Sequence, residues 1–291
     1  MQGLVIGNIA NLYKVKLNNK IYNATARGKF KKDETTPVVG DLVDMQIIND
    51  DEHEAVIEKI YPRKSYIKRP KVANVSQIIL ILSIKDPKPD LLMLDKQLAY
   101  AEFLNVKPII VINKIDLSQE YKEIEKIYTD IGYKVYAVSA KDVSSIKKLK
   151  EILNNNISVL AGNSGVGKST TINAIFEQNM TQEGKISEKN KRGKNTTTDV
   201  KLYEIDKDSY IVDTPGFSTL EITEIESKDL YKYFIEFPQE VENCRYIGCT
   251  HIKEKECGIK YAVQQGKINE QRYERFCKIY KELKEKEENK W

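Results

Sequence analysis

The sequence predicts a multidomain α/β protein with a strand-rich domain at its N-terminus and a helical module at its C-terminus. Its 291 residues suffice for two or three domains at about 100–200 residues each. From residue 77 to about 220, near-continuous apolar runs alternate with helix-like stretches. That alternation is typical of a mostly parallel sheet covered on both faces. The residues before this region form short alternating runs, and those after it are helical and charged.

The first domain, residues 1–62, has the pattern of short strands separated by turns. Strand-like runs cover 4–17, 20–30, 40–48 and 54–62. Turn-forming pairs occur at Asn18-Asn19, Arg27-Gly28 and Gly40-Asp41. Several short strands within about sixty residues indicate a small barrel. We therefore predict an OB-fold.

The second domain, residues 63–220, carries the α/β pattern. Its apolar runs lie at 78–84, 108–112, 134–138, 157–162 and 210–214. Helix-like stretches lie between them at 90–104, 118–131 and 143–154. The third domain, residues 221–291, ends in a Lys/Glu-rich helix from about 269 to 288, whose mixed-sign charges predict a solvated helix.

Composition excludes several classes of protein. Apolar residues make up 41% and charged residues 31% of the chain, which is too apolar for a mostly disordered protein. The longest apolar run, Ile78 to Leu82, is far too short to span a membrane. The N-terminus lacks the features of a secretory signal. We expect a cytoplasmic protein with no membrane partner.

The net charge of +4 is too small to establish a nucleic-acid partner, but basic residues cluster in three places. Each cluster alone fits a solvated face, whereas three together also fit a phosphate-backbone partner. The clusters are Arg27, Lys29, Lys31 and Lys32; Lys59, Arg63, Lys64, Lys68, Arg69 and Lys71; and Lys185, Lys189, Lys191, Arg192 and Lys194.

A phosphate-binding P-loop is the strongest motif, because GNSGVGKS fits GxxxxGK[ST] directly after an apolar strand. Backbone N–H groups of such a loop surround the β-phosphate, and the helix that follows presents its positive end. Lys168 would reach the β- and γ-phosphates, and Ser169 would bind Mg²⁺. The predicted phosphate-binding residues are Gly162, Asn163, Ser164, Gly165, Val166, Gly167, Lys168, Ser169 and Thr170.

The base is indicated by two loops that follow other strands. Asp116, in Asn113-Lys114-Ile115-Asp116, offers a carboxylate that can accept both the N1–H and the N2–H₂ of guanine, whereas adenine lacks those donors. It therefore favours GTP over ATP. Ser139, Ala140 and Lys141 resemble the companion loop, whose backbone N–H meets the guanine O6. Either motif alone is weak evidence, but both at strand ends beside a P-loop are strong.

A third element, Asp213-Thr-Pro-Gly216, follows the strand at 210–213 and resembles DxxG. Asp213 would hold Mg²⁺, and the Gly216 N–H would sense the γ-phosphate. Thr196, Thr197 and Thr198 lie between the P-loop and DxxG, and one hydroxyl, which we assign to Thr197, would complete the Mg²⁺ shell.

The order of these motifs indicates circular permutation. In ordinary GTPases the P-loop comes first, whereas here the base-binding loops precede it. A site built from loops at the carboxyl ends of strands in one sheet survives such a rearrangement. The permuted domain ends just after Phe217, so the C-terminal module is joined directly to the segment that senses the γ-phosphate.

The C-terminal module contains Cys244, Cys249, His251 and Cys257, a Cys₃His set that suits one tetrahedral structural Zn²⁺. The spacing is not the common C-x2-C pair. Two disulfides are the alternative, which a cytoplasmic location disfavours. Cys277 stands apart in a helical pattern.

Together, the permuted NKID, SAK, GNSGVGKST, TTT and DTPGF series and the knot CRYIGCTHIKEKEC resemble the ribosome small-subunit-dependent GTPase A family along essentially the whole chain. The resemblance implies an OB-fold and GTP hydrolysis stimulated by the small ribosomal subunit. It also implies contact with the 16S rRNA and a checkpoint role in late subunit maturation, in which other assembly factors could take part. No long apolar heptad suggests a dimer, so we expect a monomer.

Two residues depart from reference patterns. Phe217 stands where many GTPases place a glutamine that orients water. Asn195 stands before the threonines where the family tends to carry histidine; asparagine can contact a water but cannot act as a base near neutral pH. No general base is identified, and we expect slow intrinsic turnover.

Two other functions remain open at this stage. One is an RNA-binding assembly factor for which GTP is only a structural ligand. The other is a permuted GTPase of the large ribosomal subunit, which the flanking strand-rich and Cys₃His domains disfavour.

Overall fold

The computed structural model describes residues 1–28, 30, 36–183, 200–213, 222 and 224–289, and of residues 177–183 and 213 it describes the backbone. Within it the chain divides into two compact units. Unit 1 comprises residues 1–79, 140–160 and 168–218, and unit 2 comprises 80–139, 161–167 and 219–291. The domain boundaries predicted from the sequence, after residues 62 and 220, remain a prediction.

Unit 1 begins with a five-stranded barrel. Its strands are β1 (Gln2–Ile9), β2 (Leu12–Leu17), β3 (Lys20–Ala26), β4 (Leu42–Asn49) and β5 (Glu54–Ile60). β1 pairs with both β2 and β4, β3 runs parallel to β5, and β4 pairs with β5, so the sheet closes on itself. Side chains of alternate residues fill the interior, among them Val5, Val15, Val43 and Ile57. The predicted β-barrel is confirmed.

The first strand-like run of the sequence contains two of these strands. β1 and β2 are joined by a tight turn at Ala10, whose φ is 54°. An alanine in the left-handed region is uncommon, so no glycine or proline marks this turn in the sequence. The expected turn at Asn18, with φ of 53°, is present.

The rest of unit 1 contributes strands and two helices. β6 (Tyr66–Lys68) and β7 (Lys71–Ala73) form a short hairpin. β11 (Ile157–Ala161) runs parallel to β13 (Ser209–Asp213), which pairs antiparallel with β12 (Lys201–Asp206). β12 also pairs with β1 of the barrel. The helices are α3 (Val143–Leu153) and α4 (Lys168–Glu183).

Unit 2 holds the other part of the α/β pattern. β8 (Gln77–Ser83), which begins in unit 1, lies beside β9 (Lys107–Asn113), and β9 runs parallel to β10 (Lys134–Ala137). Helices α1 (Leu91–Phe103) and α2 (Tyr121–Asp130) and a 3₁₀ helix (Ile115–Leu117) connect these strands. Every residue of β8 is buried, as expected for a strand covered on both faces.

The C-terminal part of unit 2 is helical. It contains a 3₁₀ helix (Ser227–Tyr233), α5 (Pro238–Val241), α6 (Gly258–Gln264) and α7 (Glu270–Glu288). Asn269 caps α7 by accepting a hydrogen bond from the Arg272 N–H at 3.0 Å. α7 is not simply a solvated helix: one face is buried, including Phe276, Ile279 and Leu283.

Two arginines on that buried face take part in an ion network, which we call the arginine cluster: Asp95, Glu236, Arg272 and Arg275. Arg272 donates to Asp95, and its Nε lies 2.5 Å from Glu236 Oε1. Arg275 Nε lies 2.5 Å from Asp95 Oδ2. The Asp95 side chain is fully buried, and the Tyr128 hydroxyl donates to it at 2.7 Å. The cluster thus ties α7 to α1 and α2.

Candidate functional site

The phosphate-binding loop follows β11, and two of its glycines are required by close approaches. Gly162 has φ of 140°, and a Cβ there would overlap the carbonyl oxygen of Ile81. Gly167 has φ of 99°, and a Cβ there would overlap the side-chain amide of Asn113. Both angles lie where side-chain-bearing residues are strained. The glycine spacing of the motif therefore reflects how tightly this loop packs within unit 2.

Asn113 and Lys114 brace this loop. The Asn113 amide donates to the Val166 carbonyl at 2.9 Å, and its oxygen accepts from the Lys114 N–H at 2.8 Å. Lys114, itself at φ of 63°, donates through Nζ to the Gly165 carbonyl at 2.8 Å and to the Asp86 carbonyl. The sequence alone predicts that both residues bind the nucleotide. The structure adds that their side chains hold the P-loop in shape.

Asp116 lies in the 3₁₀ helix directly after these residues and is exposed. The hydroxyl of Ser139, a buried residue after β10, donates to Asp116 Oδ1 at 2.9 Å. This bond orients the carboxylate, and each carboxylate oxygen can accept more than one hydrogen bond. The two predicted base-binding loops thus meet within unit 2, in an arrangement that suits the paired donors of guanine.

Five other predicted nucleotide-binding residues belong to unit 1: Ala140, Lys141, Lys168, Ser169 and Thr170. Lys168 begins α4, and partial burial lowers the pKa of its ammonium group. Ser169 and Thr170 follow in the first turn and are exposed. Ala140 and Lys141 precede Asp142, which caps α3 by accepting from the Ser144 and Ser145 N–H groups at 3.2 and 3.1 Å. That cap fixes where the helix begins relative to the loop before it.

Sequence reasoning missed residues in a cleft beside the P-loop. The cleft is lined in part by Ser83, Asp90 and Gln97, beside the predicted residue Asn163. Asp90 caps α1 by accepting from the Met93 N–H at 2.9 Å, and it accepts from the Asn163 amide at 3.3 Å. Of these residues, only Asp90 could have been found from the sequence, because an aspartate at the start of a helix-like stretch is typical of an N-cap.

Several predicted residues lie outside the described part of the chain. They are Asn195, Thr196, Thr197, Thr198, Gly216 and Phe217, together with Lys29, Lys31, Lys32 and the whole basic cluster at 185–194. Of Asp213, the structure describes the backbone, at the end of β13.

The described part of unit 1 fits a magnesium ion. β11 and β13 are parallel neighbours, with Val159 opposite Val212, so the carboxyl ends of both strands lie at the same edge of the sheet. Ser169 follows the first strand and Asp213 ends the second. A hydroxyl and a carboxylate are oxygen donors of the kind Mg²⁺ prefers.

The four predicted zinc ligands meet in unit 2 and form what we call the thiol cluster: Cys244, Cys249, His251 and Cys257. Their ligand atoms all lie within 4.8 Å of one another. His251 Nδ1 is 3.6 Å from Cys244 Sγ and 3.5 Å from Cys257 Sγ, and those two sulfurs are 4.0 Å apart. Tetrahedral zinc would require about 3.6 Å between nitrogen and sulfur and about 3.8 Å between sulfurs.

The surroundings of the thiol cluster also fit a cation. The Gly258 N–H points to Cys244 Sγ at 3.3 Å, as suits a thiolate. Burial lowers the pKa of His251, which favours the neutral imidazole that binds metals. Without a cation, burial raises the pKa of Cys249 to about 12. Three sulfurs and one nitrogen leave no open position, as in a structural zinc site.

Comparison with known proteins identifies the family. The family model described as RsgA GTPase matches residues 60–223, and the model described as RsgA N-terminal domain matches residues 2–57. The chain belongs to the RsgA GTPase family. It is therefore a GTPase, and its motifs occur in a circularly permuted order.

Relatives and solved structures agree over the whole length. Two proteins named "Small ribosomal subunit biogenesis GTPase RsgA" are similar to this chain. The one from Clostridium botulinum (strain Eklund 17B / Type B) is 43% identical, with 100% of both chains covered. The one from Caldanaerobacter subterraneus subsp. tengcongensis is 40% identical, covering 100% of this chain and 98% of that protein.

Among solved structures, YjeQ from Thermotoga maritima matches with a TM-score of 0.84 and 37% identity, covering 97% of this chain and 98% of that one. YloQ, described as a circularly permuted GTPase, matches with a TM-score of 0.82 and 30% identity, covering 98% and 95%. The predicted fold class, with an N-terminal barrel, a circularly permuted GTPase domain and a C-terminal helical module, is confirmed. Within the described residues, no helix is long and apolar enough to cross a membrane.

Proposed function

We propose that this GTPase acts in late maturation of the small ribosomal subunit, binds its 16S rRNA and hydrolyses GTP in a step that the subunit stimulates. The observation that carries the proposal is the full-length match, at 43% identity, to a protein named for biogenesis of that subunit. The fold supports it, since a barrel, a permuted GTPase domain and a Cys₃His module are all present in one chain. Such a role implies a cytoplasmic location, beside other assembly factors. The lack of a long apolar heptad in the sequence favours a monomer.

Basic residues on the described surface support an RNA partner. The hairpin β6–β7 presents Lys68, Arg69 and Lys71 to solvent, and Lys59 and Lys64 are exposed nearby in the chain. Lysines and arginines on one surface bind phosphates through charge. Arg63 is not part of this surface, because its guanidinium is paired with the buried Asp41 at 2.8 and 2.9 Å. It ties the segment after β5 to the residue that precedes β4 instead.

The nucleotide chemistry follows from the site residues. Asp116 accepts from the guanine N1–H and N2–H₂, Ser139 orients it, and the Ala140 N–H donates to O6. The P-loop amides and Lys168 bind the phosphates. Mg²⁺, when bound by Ser169, Thr197 and Asp213, neutralises charge on the β- and γ-phosphates. The Gly216 N–H contacts the γ-phosphate, and Asn195 contacts the attacking water.

The C-terminal module responds to the nucleotide because it follows the DxxG element directly in sequence. Cys244, Cys249, His251 and Cys257 hold one structural Zn²⁺ that keeps the module folded. We infer that loss of the γ-phosphate contact at Gly216 moves this module, so that GTP hydrolysis releases the protein from a matured subunit.

The test is GTP hydrolysis by the purified protein alone, with small subunits and with large subunits. We expect slow turnover alone and strong stimulation by small subunits. Stimulation by large subunits instead, or by neither, would overturn the proposal. Replacing Ser169 with Ala should leave a protein that stays on the small subunit or fails to engage it. Release at the wild-type rate would indicate that GTP is only a structural ligand.

A further inference from the structure

A shielded ion pair joins two segments of unit 1 that lead into the barrel and into hairpin β6–β7. Asp41, directly before β4, has a fully buried side chain, and Arg63, which follows β5, is 23% exposed. Arg63 donates through Nε and Nη2 to the two Asp41 oxygens, at 2.8 and 2.9 Å. The same Nη2 donates to the Thr36 carbonyl at 3.0 Å, and Asp41 also accepts from the Val38 N–H at 2.7 Å. The carboxylate is thus bonded on both oxygens.

Both strands of the hairpin are fastened next to this ion pair. The guanidinium carbon of Arg63 lies 4.6 Å from the centre of the Tyr66 ring, and Tyr66 begins β6. Ala73 ends β7 and donates its N–H to the Val39 carbonyl at 2.9 Å. Val39 lies two positions before Asp41. The arginine therefore holds β6, while the segment that carries the aspartate holds β7.

Asn74, which follows β7, closes the base of the hairpin. Its amide donates to the Gly40 carbonyl at 2.8 Å, and its side-chain oxygen accepts from the Lys64 N–H at 2.9 Å. Both partners are chain neighbours of the ion pair. Gly40 has φ of 88°, and a Cβ there would overlap the Ala73 carbonyl oxygen. The ion pair and these contacts form one unit, which we call the hairpin anchor: Gly40, Asp41, Arg63 and Asn74.

The anchored hairpin exposes basic side chains. Its exposed residues are Lys68, Arg69 and Lys71, whereas Ile67 and Val72 are buried. None of the exposed residues is aromatic, so the hairpin lacks the stacking platform on which proteins bind unpaired bases. Folded RNA holds its phosphates at fixed positions, and a preorganised set of charges loses less conformational entropy on binding them. A rigid mount is therefore useful for this kind of partner.

We propose that Asp41 and Arg63 are positioning residues for RNA binding, whose ion pair holds the three exposed basic residues of the hairpin in an arrangement that meets several RNA phosphates together. The inference rests on the RNA partner of the proposed function. It assigns a part in RNA binding to an acidic residue, although an acidic residue opposes RNA binding by its charge alone. Asp41 can take this part because its side chain is buried and paired with Arg63.

Substitution of Asp41 distinguishes positioning from simple charge, because the two predict opposite results. Asp41→Asn removes one negative charge from the protein, which on charge alone strengthens RNA binding. It also removes the ion pair, while it keeps the size of the side chain and one oxygen acceptor. If the pair positions the hairpin, the variant binds RNA more weakly in spite of its more positive net charge.

The experiment measures the dissociation constant of the full chain for purified 16S rRNA at several salt concentrations. Asp41→Asn should bind about tenfold more weakly than the wild type, and the salt slope should fall by about one, as for the loss of a phosphate contact. Arg63→Lys keeps the net charge but loses the planar fork that bonds both carboxylate oxygens, so it should also bind more weakly. It serves if Asp41→Asn does not fold, which circular dichroism shows.

A matched control and a double mutant complete the design. Asp51→Asn removes the same charge from an exposed position between β4 and β5, outside the hairpin anchor, and should bind as tightly as the wild type or more tightly. Lys71→Ala should weaken binding in the wild type and have a smaller effect in Asp41→Asn, because residues that act through one another are not additive.

Binding by Asp41→Asn and Arg63→Lys that equals or exceeds that of the wild type would overturn the inference and leave the proposed function intact. Additive effects of Asp41→Asn and Lys71→Ala would also contradict it, because the ion pair would then act independently of the hairpin. If the wild type binds neither 16S rRNA nor small subunits, the RNA partner of the proposed function is wrong, and the inference fails with it.

Discussion

Unit 2 contains two buried polar clusters that compensate their charges in different ways. The arginine cluster pairs Arg272 and Arg275 with Asp95 and Glu236, so two positive and two negative groups lie together. The thiol cluster has three sulfurs and an imidazole, with no cationic side chain among them. The charges of the arginine cluster balance within the protein, whereas the thiol cluster is compatible with a metal ion that would supply the missing positive charge.

Burial disfavours the charged form of a side chain in both clusters, but only the arginine cluster contains opposite charges that offset this effect. Burial lowers the pKa of Arg272, yet Asp95 and Glu236 outweigh it and raise the pKa overall, so the guanidinium stays charged. In the thiol cluster the same effect of burial raises the pKa of Cys249 to about 12, which keeps the thiol neutral until a cation arrives. Buried charge is tolerated where an opposite charge is already in place.

Removing zinc from the thiol cluster should have the largest effect on the stability of the surrounding module. Structural zinc contributes about 10–16 kcal/mol to folding in small finger peptides. We expect one zinc per chain by elemental mass spectrometry, and we expect chelation or Cys257→Ser to release it. Amide hydrogen exchange of residues 244–266 should then accelerate, while α7 stays protected by Phe234, Phe237 and Phe276. Cys277→Ser, outside the thiol cluster, should keep the metal; unchanged exchange after chelation would contradict a structural role.

Breaking the arginine cluster comes next. Asp95→Ala leaves two buried guanidinium groups without their shared carboxylate, which costs about 3–5 kcal/mol for a buried pair. The midpoint of urea unfolding should therefore fall to a lower urea concentration. Zinc content should be unaffected, because the two clusters share no residue. A midpoint equal to that of the wild type would mean that the network is energetically neutral.

Neutralising one acid of the same cluster should have a smaller effect. Glu236→Gln keeps the shape and one acceptor for Arg272 but removes the charge from a bond of 2.5 Å. We expect a loss of about 1.5–3 kcal/mol, the range for hydrogen bonds to charged groups. The same urea titration measures it, and a loss as large as that of Asp95→Ala would refute the ranking of the two acids.

The smallest effect should come from a half-exposed pair between the same helices. Lys96 on α1 lies 2.5 Å from Glu282 on α7, and 45% of the Glu282 side chain is exposed. Such pairs contribute about 0–1 kcal/mol and weaken with salt. Lys96→Ala should therefore change the unfolding midpoint little, and less still at high salt. If Lys96→Ala destabilised the protein as much as Glu236→Gln does, and equally at high salt, the pair would be shielded from solvent and the prediction would be wrong.

Local patterns predicted much of the fold. The apolar runs at 78–84, 108–112 and 157–162 correspond to β8, β9 and β11, because strands buried on both faces need continuous apolar sequence. β12 was not predicted, since KLYEID interrupts its apolar residues with Lys201, Glu204 and Asp206 and so lacks a continuous apolar run. The hairpin β6–β7 was hidden within a basic cluster, where three-residue strands leave too short a pattern to detect.

The chemistry could be predicted from residue types at short spacing: a P-loop, two base-binding loops in permuted order and four side chains suited to a metal ion. Which distant residues meet could be known only from the fold. Asn113 and Lys114 brace the P-loop, Lys16 bridges β12 and β13, and Arg272 is buried on a helix whose charges resembled a solvated surface. A charged side chain has the same local pattern in water and in a core. Its partner, which lies far away in sequence, determines where it can be placed.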